Sequence, residues 1–407
     1  MGTSKPAAAP AGPSGADSGG PSVDPRRALE PRLGFPPGPR AVTLGARRRW
    51  EPVTSDAKDE RRPLVGMDLP ALEDLCADLG LKPYQVRDAR RWLYQRRATD
   101  PMEWTSLPKA ARAALARRCV SGLPEVAGHQ ESSDGTRKFL LRLHDGQTIE
   151  CVSIPDGERR TVCVSSQVGC AMGCRFCLTA RLGFRRNLTA GEILSQFFVL
   201  ERETDIAGRP YNVVFMGMGE PLANRENLEA ALAILEDPEG MGLSWKRITV
   251  STSGLADAME AFARSPVCPR LSLSLNAPDD DLRDRLMPIN RKFPLKRLRG
   301  VLQDLSRKER ERVSLEYILL AGVNDSPDHA RAVARFARGL KVKVNLIHFN
   351  AAEGLPFDRA AEETGRDFQG ILVAAGVPTS IRKSRGLDIL AACGQLARNN
   401  WPGEASP

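Results

Sequence analysis

The sequence predicts an α/β protein in which a partial (β/α)6 barrel follows a small helical N-terminal accessory domain. Three observations favour this fold. Short apolar runs alternate with helical patterns, the residues that follow these runs are rich in glycine, hydroxyl and amide groups, and a separate helical segment precedes them. Strands that alternate with helices form parallel sheets with right-handed crossovers. Such barrels carry their chemistry at the carboxyl ends of the strands.

The predicted barrel contains six strand-and-helix units. The strands are apolar runs at residues 160–166, 212–216, 247–252, 270–275, 313–319 and 342–349. The helical patterns between them lie at residues 191–204, 224–235, 256–263, 296–305 and 328–338. Six units instead of eight imply an incomplete barrel.

The composition indicates a globular protein of a reducing cytoplasm. Of the 407 residues, 42% are hydrophobic, and no apolar run reaches the length of about 18 residues that predicts a membrane helix. The first residues do not resemble a signal peptide. Nine dispersed cysteines, an odd number, do not suggest a secreted disulfide framework. The net charge of +9 favours a polyanionic partner such as RNA, and a merely soluble basic surface is the alternative.

Changes in composition divide the chain into five segments. Residues 1–64, rich in Pro, Gly, Ala and Arg, predict a disordered tail because they cannot bury enough apolar surface. We predict a helical accessory RNA-binding domain at 67–120 and a β-hairpin connector at 121–159. The barrel and a C-terminal cysteine segment occupy 160–398, and a second tail occupies 399–407.

The accessory domain has a basic face. Asp68 is the predicted N-cap of its first helix, and a second helix spans about residues 84–97. The apolar face of that helix consists of Val86, Ala89, Trp92 and Leu93, whereas Arg87, Arg90, Arg91, Arg96 and Arg97 lie mostly on the other face. Arginines beside Trp92 and Tyr94 are typical of an RNA-facing surface, and a packed helix with a solvated basic face is the alternative.

The predicted hairpin at residues 136–154 carries a carboxylate of interest. Its turn is His144-Asp-Gly-Gln147. Strand alternation puts Glu150 on the same face as Val152 and Ile154. A carboxylate among apolar neighbours is a candidate general base with a raised pKa. A solvent-facing carboxylate on an edge strand is the alternative.

Three closely spaced cysteines follow the first barrel strand. Cys170, Cys174 and Cys177 form a CxxxCxxC pattern in a glycine-containing loop. Thiolates at this spacing are soft ligands that converge on an iron–sulfur or zinc centre. Three ligands suit a cubane cluster with one open iron, whereas a structural zinc site needs a fourth Cys or His from elsewhere.

Glycines and polar side chains follow four of the predicted strands. They are Gly219 and Glu220, then Ser251, then Ser274, Leu275 and Asn276, and finally Asn350. Glycine permits close backbone approach. Carboxylate, hydroxyl and amide groups suit the ammonium, ribose and carboxylate groups of a small ligand. Four such strand ends in register predict one ligand site.

The remaining cysteines differ in their surroundings. Cys76, Cys119, Cys151 and Cys268 are interpreted as small buried hydrophobic residues. Cys163 lies in the first barrel strand. Cys393 precedes Gly394 in a C-terminal segment and is a candidate nucleophile at the barrel opening if its pKa is lowered.

Residues 67 to about 398 resemble the radical S-adenosylmethionine (SAM) rRNA/tRNA adenine-C2 methyltransferase family. The matching pieces are CVSSQVGCAMGCRFC, RNLTAGEI, GMGEP, STSG, EYILLAGVNDSP and AACGQL. The resemblance implies one [4Fe–4S] cluster per chain on Cys170, Cys174 and Cys177. It implies SAM binding by Gly219, Glu220, Ser251, Ser274, Leu275, Asn276 and Asn350. It also implies that Cys393 is the S-methylcysteine intermediate, Cys163 its transient disulfide partner and Glu150 the proton acceptor.

The implied reaction is a radical methylation of adenine carbon 2 that uses two SAM molecules per turnover. One methylates the Cys393 thiolate, and the other yields a 5′-deoxyadenosyl radical that removes hydrogen from that methyl group. The carbon radical adds to the base. Attack of Cys163 on Cys393 then forms a disulfide and releases methylated RNA, and Glu150 assists proton removal.

The resemblance also implies the partners. The substrates are 23S rRNA, at the adenine-2503 site of the peptidyl-transferase centre, and tRNA at adenine-37. An electron donor such as flavodoxin or ferredoxin supplies the cluster. The expected protein is a cytoplasmic monomer that does not bind a membrane.

Some residues depart from the family pattern. Asn276 stands where the family usually has His, and Leu387-Asp388 and Leu390 stand where it has acidic residues. Three alternatives therefore remain. They are carbon-8 methylation of the same ribosomal adenosine, which confers antibiotic resistance, a paralogue with another RNA target, and a non-catalytic zinc-stapled RNA-binding protein.

Overall fold

The structure is a computed structural model that describes residues 1–2, 61–306 and 313–397. Most of the predicted tail at 1–64 and the tail at 399–407 lie outside the described residues. At the end of the first tail, Arg62–Pro63 (β1) pair in parallel with Cys119–Val120 (β2), and Leu64 is fully buried. The predicted boundary at residue 64 is therefore too late, because strand pairing begins at Arg62.

The accessory domain contains three helices beside this strand pair. They are Leu69–Ala77 (α1), Pro83–Tyr94 (α2) and Lys109–Arg118 (α3). Asp68 is the N-cap of α1, as predicted, because its side chain accepts a hydrogen bond from the Ala71 amide at 2.9 Å. The second helix ends at Tyr94, three residues before the predicted end at residue 97.

The predicted basic face of α2 is divided between solvent and the rest of the protein. Arg90 is buried and pairs with Asp237 at 2.6 Å. Arg97 pairs with Glu201 at 2.8 Å. Tyr94 is fully buried, and its hydroxyl donates to the Met67 carbonyl. Arg90 and Arg97 are therefore not RNA-facing, contrary to the prediction, because they connect the accessory domain to the barrel. Tyr94 is not RNA-facing because it is buried.

Glycines allow the two domains to touch at their backbones. A Cβ atom on Gly66 would lie 2.2 Å from the Gly191 Cα atom, and one on Gly191 would lie 2.5 Å from the Val65 carbonyl oxygen. No side chain fits at that distance. The accessory domain is consequently packed directly on the start of the first long barrel helix.

The main sheet has ten strands among the described residues. In chain order, the remaining strands are Glu125–Glu131 (β3), Arg137–Arg142 (β4), Thr148–Asp156 (β5), Arg159–Cys163 (β6), Gln167–Gly169 (β7), Phe184–Asn187 (β8), Asn212–Phe215 (β9), Ile248–Thr252 (β10), Arg270–Ser274 (β11), Val313–Leu319 (β12), Val342–His348 (β13) and Thr379–Arg382 (β14). The strand order is β14-β13-β12-β11-β10-β9-β6-β5-β4-β3, and β7 and β8 form a separate hairpin. All six predicted barrel strands are confirmed, and β14 adds a seventh parallel strand.

The segment predicted as a connector is part of this sheet. Strands β3, β4 and β5 are antiparallel and continue the sheet beyond β6. The predicted hairpin corresponds to β4 and β5, whereas β3 is an additional strand. Residues 121–159 therefore extend the barrel sheet and do not form an independent unit.

Helices cover the parallel strands. They are Leu178–Arg181 (α4), Ala190–Glu203 (α5), Arg225–Glu236 (α6), Ala256–Phe262 (α7), Asp280–Leu286 (α8), Leu295–Ser306 (α9), Pro327–Ala337 (α10) and Glu362–Ala374 (α11). The five predicted helices are present, and α4, α8 and α11 are additional. Within the described ranges, no helix has the length and apolar character needed to span a membrane.

The sheet has one apolar face and one polar face. Phe215, Val250, Leu273, Leu315 and Leu346 belong to the apolar face and to one continuous core with the helices. Paired residues lie on the same side of a sheet, so the register defines the opposite side. We call it the polar face, and it carries Lys138, Glu150, Cys163, Ser251, Ser272, Ser274, Ser314, Glu316, Asn345 and Ser380.

Candidate active site

The loop that precedes α4 carries the thiols of Cys170, Cys174 and Cys177, which are buried or half-buried. We call it the cluster loop. Burial raises the pKa of Cys170 to about 12 and that of Cys174 well above its usual value, and neighbouring thiols and Glu220 raise both further. The pKa of Cys177 is also raised by burial, against hydrogen bonds from the start of α4. The three thiols therefore lie close enough to influence one another electrostatically.

This donor set fits an iron–sulfur cluster. Among the described residues, no group of three Cys, His, Asp or Glu side chains is arranged to hold a single metal ion. In a cubane each thiolate binds a separate iron, so the sulfur atoms need not converge on one point. All three thiols are free, and coordination replaces the proton that burial otherwise favours. Cys170, Cys174 and Cys177 are thus suitable ligands for the cluster.

Glu220 is buried beside this loop. Its carboxylate accepts hydrogen bonds from the amides of Ser253 at 2.7 Å and Leu222 at 3.2 Å. Burial raises the pKa of Glu220, and these hydrogen bonds oppose the rise. A side chain on Gly219 would collide with Gln167, since its Cβ atom would lie 2.6 Å from the Gln167 Cβ atom. The structure therefore brings Gly219 and Glu220 to the cluster loop.

A buried arginine joins the third and fourth barrel strand ends. Arg283, on α8, donates to the carbonyls of Ser253 at 2.7 Å, Ser274 at 3.0 Å and Leu275 at 3.0 Å. Burial lowers the pKa of Arg283 to about 10, and Cys174 acts in the opposite direction. Ser251 lies nearby on β10, opposite Ser272. Arg283 escaped the sequence analysis because α8 is only seven residues long.

Asn276 uses its side chain inside the protein. Its φ angle is +55°, in the left-handed region where Asn is favoured. Its side-chain oxygen accepts a hydrogen bond from the Ile318 amide at 2.9 Å, and its carbonyl accepts one from Asn324 at 2.8 Å. The amide oxygen predicted to contact SAM is therefore engaged with β12 in this structure.

Asn350 holds the C-terminal cysteine segment. Its amide group donates to the Cys393 carbonyl at 3.3 Å, and its oxygen accepts from the Ser384 hydroxyl at 2.7 Å. Gln395 fixes the same segment by donating to the Ala351 carbonyl at 2.8 Å. In this structure Asn350 thus positions Cys393, a contact that the sequence analysis did not predict.

Cys393 lies against the cluster loop. The amide of Leu178, which follows Cys177, donates to the Gly394 carbonyl at 2.8 Å. Cys393 itself is exposed, but surrounding protein raises its pKa to about 11 by desolvation, and Glu316 raises it further while Arg382 opposes the rise. The condition that the sequence analysis attached to a nucleophilic Cys393, a lowered pKa, is therefore not met in this structure.

Cys163 is close to Cys393. Burial raises the pKa of Cys163 strongly, and the nearby Cys393 thiol contributes to the rise. Both residues are free thiols, so the structure shows no disulfide between them. The polar face of β6 and the C-terminal segment nevertheless bring these two thiols together.

The β3–β4 turn anchors the residues that precede Cys393. Asp388 accepts hydrogen bonds from the Ser132 hydroxyl at 2.5 Å and the Ser133 amide at 3.1 Å. The Gly386 amide donates to Asp134 at 3.0 Å. Desolvation raises the pKa of Asp134, but hydrogen bonds outweigh it and lower the pKa to about 2. The two carboxylates therefore hold the segment by charge-assisted hydrogen bonds.

Glu150 is fully buried on β5. Its carboxylate lies 3.3 Å from the ammonium group of Lys138, which is also buried. The solvent-facing alternative is therefore wrong, because β4 and β6 flank β5 on both sides. Lys138 was not predicted, because β4 reads Arg-Lys-Phe-Leu-Leu-Arg and shows no alternation that would mark Lys138 as buried.

Glu316 is a second unpredicted carboxylate on the polar face. It accepts hydrogen bonds from the Ser272 hydroxyl and the Asn345 amide group, both at 2.7 Å. Ser314 extends the network by donating to Ser272 at 2.8 Å. Polar and apolar residues alternate regularly in β11, β12 and β13, and this pattern could have predicted that Glu316 lies on a polar face of the sheet.

Similarity to known proteins identifies the class of this site. Residues 164–334 match the Radical SAM superfamily, and residues 63–120 match the Ribosomal RNA large subunit methyltransferase N-terminal domain. The crystal structure of a radical SAM methyltransferase from Sphaerobacter thermophilus matches with a TM-score of 0.79 and 44% identity, covering 82% of this chain and 99% of that one. The fold and the three-thiol loop thus define a radical SAM enzyme with a [4Fe–4S] cluster.

Two sequence relatives narrow this class. A protein of Syntrophus aciditrophicus (strain SB), named dual-specificity RNA methyltransferase RlmN, is 46% identical over 331 residues, which cover 81% of this chain and 95% of the relative. A protein of the same name from Anaeromyxobacter sp. (strain Fw109-5) is 46% identical over 355 residues, which cover 85% and 94%. The chain belongs to the RlmN family of dual-specificity RNA methyltransferases.

Proposed function

We propose that this chain methylates carbon 2 of adenine in RNA, with 23S rRNA and tRNA as its substrates. The observation that carries the proposal is the position of Cys393. A segment bearing one thiol lies against the cluster loop, through the 2.8 Å hydrogen bond from Leu178 to Gly394, and close to a second thiol, Cys163. A methyl carrier and a resolving thiol require this juxtaposition.

The protein groups have separate roles in this proposal. Cys170, Cys174 and Cys177 hold the cluster, and Glu220 and neighbouring strand ends bind SAM. When bound, these two groups supply a methyl group and a hydrogen-abstracting radical. The adenine amidine carbon is electrophilic, so ordinary transfer of a methyl cation to it fails. Cys393 instead carries the methyl group to the base.

Release of the product uses the second thiol and the buried carboxylate. The unpaired electron that the radical addition leaves on the base would return to the bound cluster. The Cys163 thiolate attacks the Cys393 sulfur, a disulfide forms, and the bond between that sulfur and the transferred carbon breaks with its electron pair on carbon, which takes up a proton to become the methyl group. Glu150 accepts the proton that the base must lose to regain aromaticity. An external dithiol reduces the disulfide after each turnover. This requirement for reduced thiols supports a cytoplasmic location.

We propose that Arg87, on α2, and Arg96, two residues after the end of α2, contact RNA. Arg87 and Arg96 are exposed, and the Arg96 guanidinium lies 4.0 Å from the centre of the Trp92 ring. This pair offers charge and a stacking surface to a phosphate or a base. We further propose that the protein acts as a monomer and receives electrons from a donor such as flavodoxin or ferredoxin.

Nucleoside mass spectrometry tests this function. The reconstituted protein is incubated anaerobically with SAM, a reductant and protein-free 23S rRNA or tRNA. We expect 2-methyladenosine from both RNAs. Formation of 8-methyladenosine would overturn the assignment to carbon 2, and SAM cleavage without methylated adenosine would overturn both proposed substrates.

A further inference from the structure

Lys138 and Glu150 form a buried ion pair on the antiparallel part of the polar face. The exposed fraction is 1% for the Lys138 side chain and 0% for that of Glu150, and the ammonium nitrogen lies 3.3 Å from the carboxylate oxygen Oε1. The two residues are diagonal neighbours, because Lys138 is opposite Val152 and Glu150 is opposite Leu140. The strand register therefore determines the contact.

The surroundings of Glu150 make a counter-charge necessary. Leu140 and Val152, its neighbours on the polar face, are buried. An isolated carboxylate in such a place is unfavourable and takes up a proton instead of remaining charged. A protonated carboxyl group has no capacity to accept a further proton from a substrate. The ammonium group of Lys138, at 3.3 Å, supplies a counter-charge that favours the ionised carboxylate.

Lys138 also contacts the segment that carries Cys393. Its ammonium group donates to the Leu390 carbonyl at 3.4 Å. Leu390 has a φ angle of +51°, a conformation in which a leucine is strained. The surrounding structure maintains this conformation, since Asp388 and Gly386 are both bonded to the β3–β4 turn. One ammonium group therefore connects the carboxylate with the backbone three residues before Cys393.

We propose that Lys138 is a positioning residue that keeps Glu150 ionised and links it to the docked Cys393 segment. The proposal rests on the function given above, because it concerns the proposed proton acceptor and methyl carrier. The new element is a contact, through Lys138, between Glu150 and the segment that carries Cys393. When the segment is docked, Lys138 orients both groups, so that the carboxylate and the thiol-bearing chain have a fixed relation.

A double-mutant cycle tests the first half of this proposal. The full-length variants are K138M, E150Q and K138M/E150Q, with K296M as a matched control at an exposed lysine of α9. Single-turnover methylation of RNA is measured for each reconstituted protein. We expect K138M and E150Q each to reduce the rate about 100-fold, and the double variant to be no slower than the slower single variant.

The rate outcomes distinguish positioning from a structural role. If Lys138 acts only through Glu150, the two losses do not multiply. Multiplied losses, or a K138M rate within about three-fold of the native rate, would overturn the proposal. Thermal unfolding provides a second readout, because K138M removes a counter-charge from a buried carboxylate, whereas the double variant removes the carboxylate as well. We therefore expect the double variant to recover stability without recovering activity.

Alkylation of Cys393 tests the second half, even where K138M does not fold. E150Q retains the ammonium group that contacts Leu390, and K138M/E150Q lacks it. We expect iodoacetamide to modify Cys393 about five-fold faster in the double variant, the change expected from the loss of one hydrogen bond. Equal rates in these two variants would overturn the link.

This design separates the inference from the proposed function. If the native protein forms no methyladenosine, the proposed function fails, whereas the alkylation rates still decide whether Lys138 holds the Cys393 segment. If E150Q methylates RNA at the native rate, Glu150 is not the proton acceptor, and the proposed role of Lys138 fails with it.

Discussion

The parallel and antiparallel parts of the main sheet support the site in different ways. On the parallel strands, Ser272, Ser314, Glu316 and Asn345 form a network with hydrogen bonds of 2.7–2.8 Å. On the antiparallel strands, the buried carboxylate of Glu150 forms an ion pair with the buried ammonium group of Lys138. A network of hydrogen bonds distributes the loss of one partner, whereas removal of one member of a buried ion pair costs the other member a counter-charge. The strands that support the radical chemistry are thus joined by several hydrogen bonds, whereas the proposed proton transfer from RNA depends on Glu150 and its ion pair with Lys138.

Replacement of a proposed cluster ligand should have the largest effect on the reaction that the parallel strands support. We expect Cys174→Ser to abolish cluster binding, reductive cleavage of SAM and methylation together, because serine is a poor ligand for iron in a cluster. The iron content, the brown absorbance and the 5′-deoxyadenosine yield are measured after anaerobic reconstitution. Cys268→Ser, away from the loop, is the matched control. A variant that keeps a full cluster contradicts the ligand assignment.

Replacement of Cys163, the proposed resolving thiol, separates the function of the parallel strands, SAM cleavage, from the later release of RNA. Cys163→Ala is expected to cleave SAM as the native protein does, yet to remain covalently joined to RNA, since no thiol is present to attack Cys393. Denaturing gel electrophoresis detects the joined species. Cys151→Ala is the matched control, because this thiol lies on the apolar face of the neighbouring strand. The absence of an RNA-linked band for Cys163→Ala argues against the resolving role.

Replacement of Arg283 tests how far the parallel scaffold tolerates a lost partner. Arg283→Met leaves three strand-end carbonyls without their donor, so we expect a loss of about 3 kcal/mol in the free energy of unfolding. The half-buried Arg297, which pairs with Asp257 and Glu260 on the protein surface, is the control. Arg297→Met should cost less than about 1 kcal/mol. Equal losses in chemical denaturation contradict the structural importance of Arg283.

The smallest effect concerns the docking of the Cys393 segment on the antiparallel part. The pKa of Asp134 is lowered to about 2, so its contribution is complete above the ordinary carboxyl pKa of about 4. That contribution is lost as the pH falls through 2. At neutral pH, Asp134→Asn should increase amide hydrogen exchange at Gly386 a few-fold.

Acidification of the native protein towards pH 2 should reproduce this local change after correction for the intrinsic exchange rate. Asp328→Asn, at an exposed surface pair on α10, is the control and leaves Gly386 unaffected. Exchange at Gly386 that does not differ between the native protein and Asp134→Asn excludes the charge-assisted anchor.

Local patterns explain which features the sequence predicted. Cys170, Cys174 and Cys177 lie within eight residues, so their spacing alone predicted a metal centre, and the barrel strands are separate apolar runs that the sequence shows directly. Lys138, Arg283 and Glu316 were missed because their significance depends on partners in other elements. Arg283, for example, contacts carbonyls on two different strand ends.

The basic face of α2 was misjudged for a related reason. Helical periodicity puts Arg90 one turn after Val86, beside the apolar stripe, and Arg97 lies beyond the end of the helix, so neither residue belongs to the solvent-facing side. Their acidic partners, Asp237 and Glu201, are more than one hundred residues away along the chain. Part of the surface predicted to contact RNA is therefore an interface between the accessory domain and the barrel.

The contact between Gly66 and Gly191 has a consequence for the proposed RNA contacts. Because the backbones touch and no side chain fits between them, a larger residue at either glycine must displace the accessory domain from the barrel helix. Arg87 and Arg96, which we propose contact RNA, would be displaced with it. The two glycines therefore define where the proposed RNA-contacting arginines lie relative to the barrel.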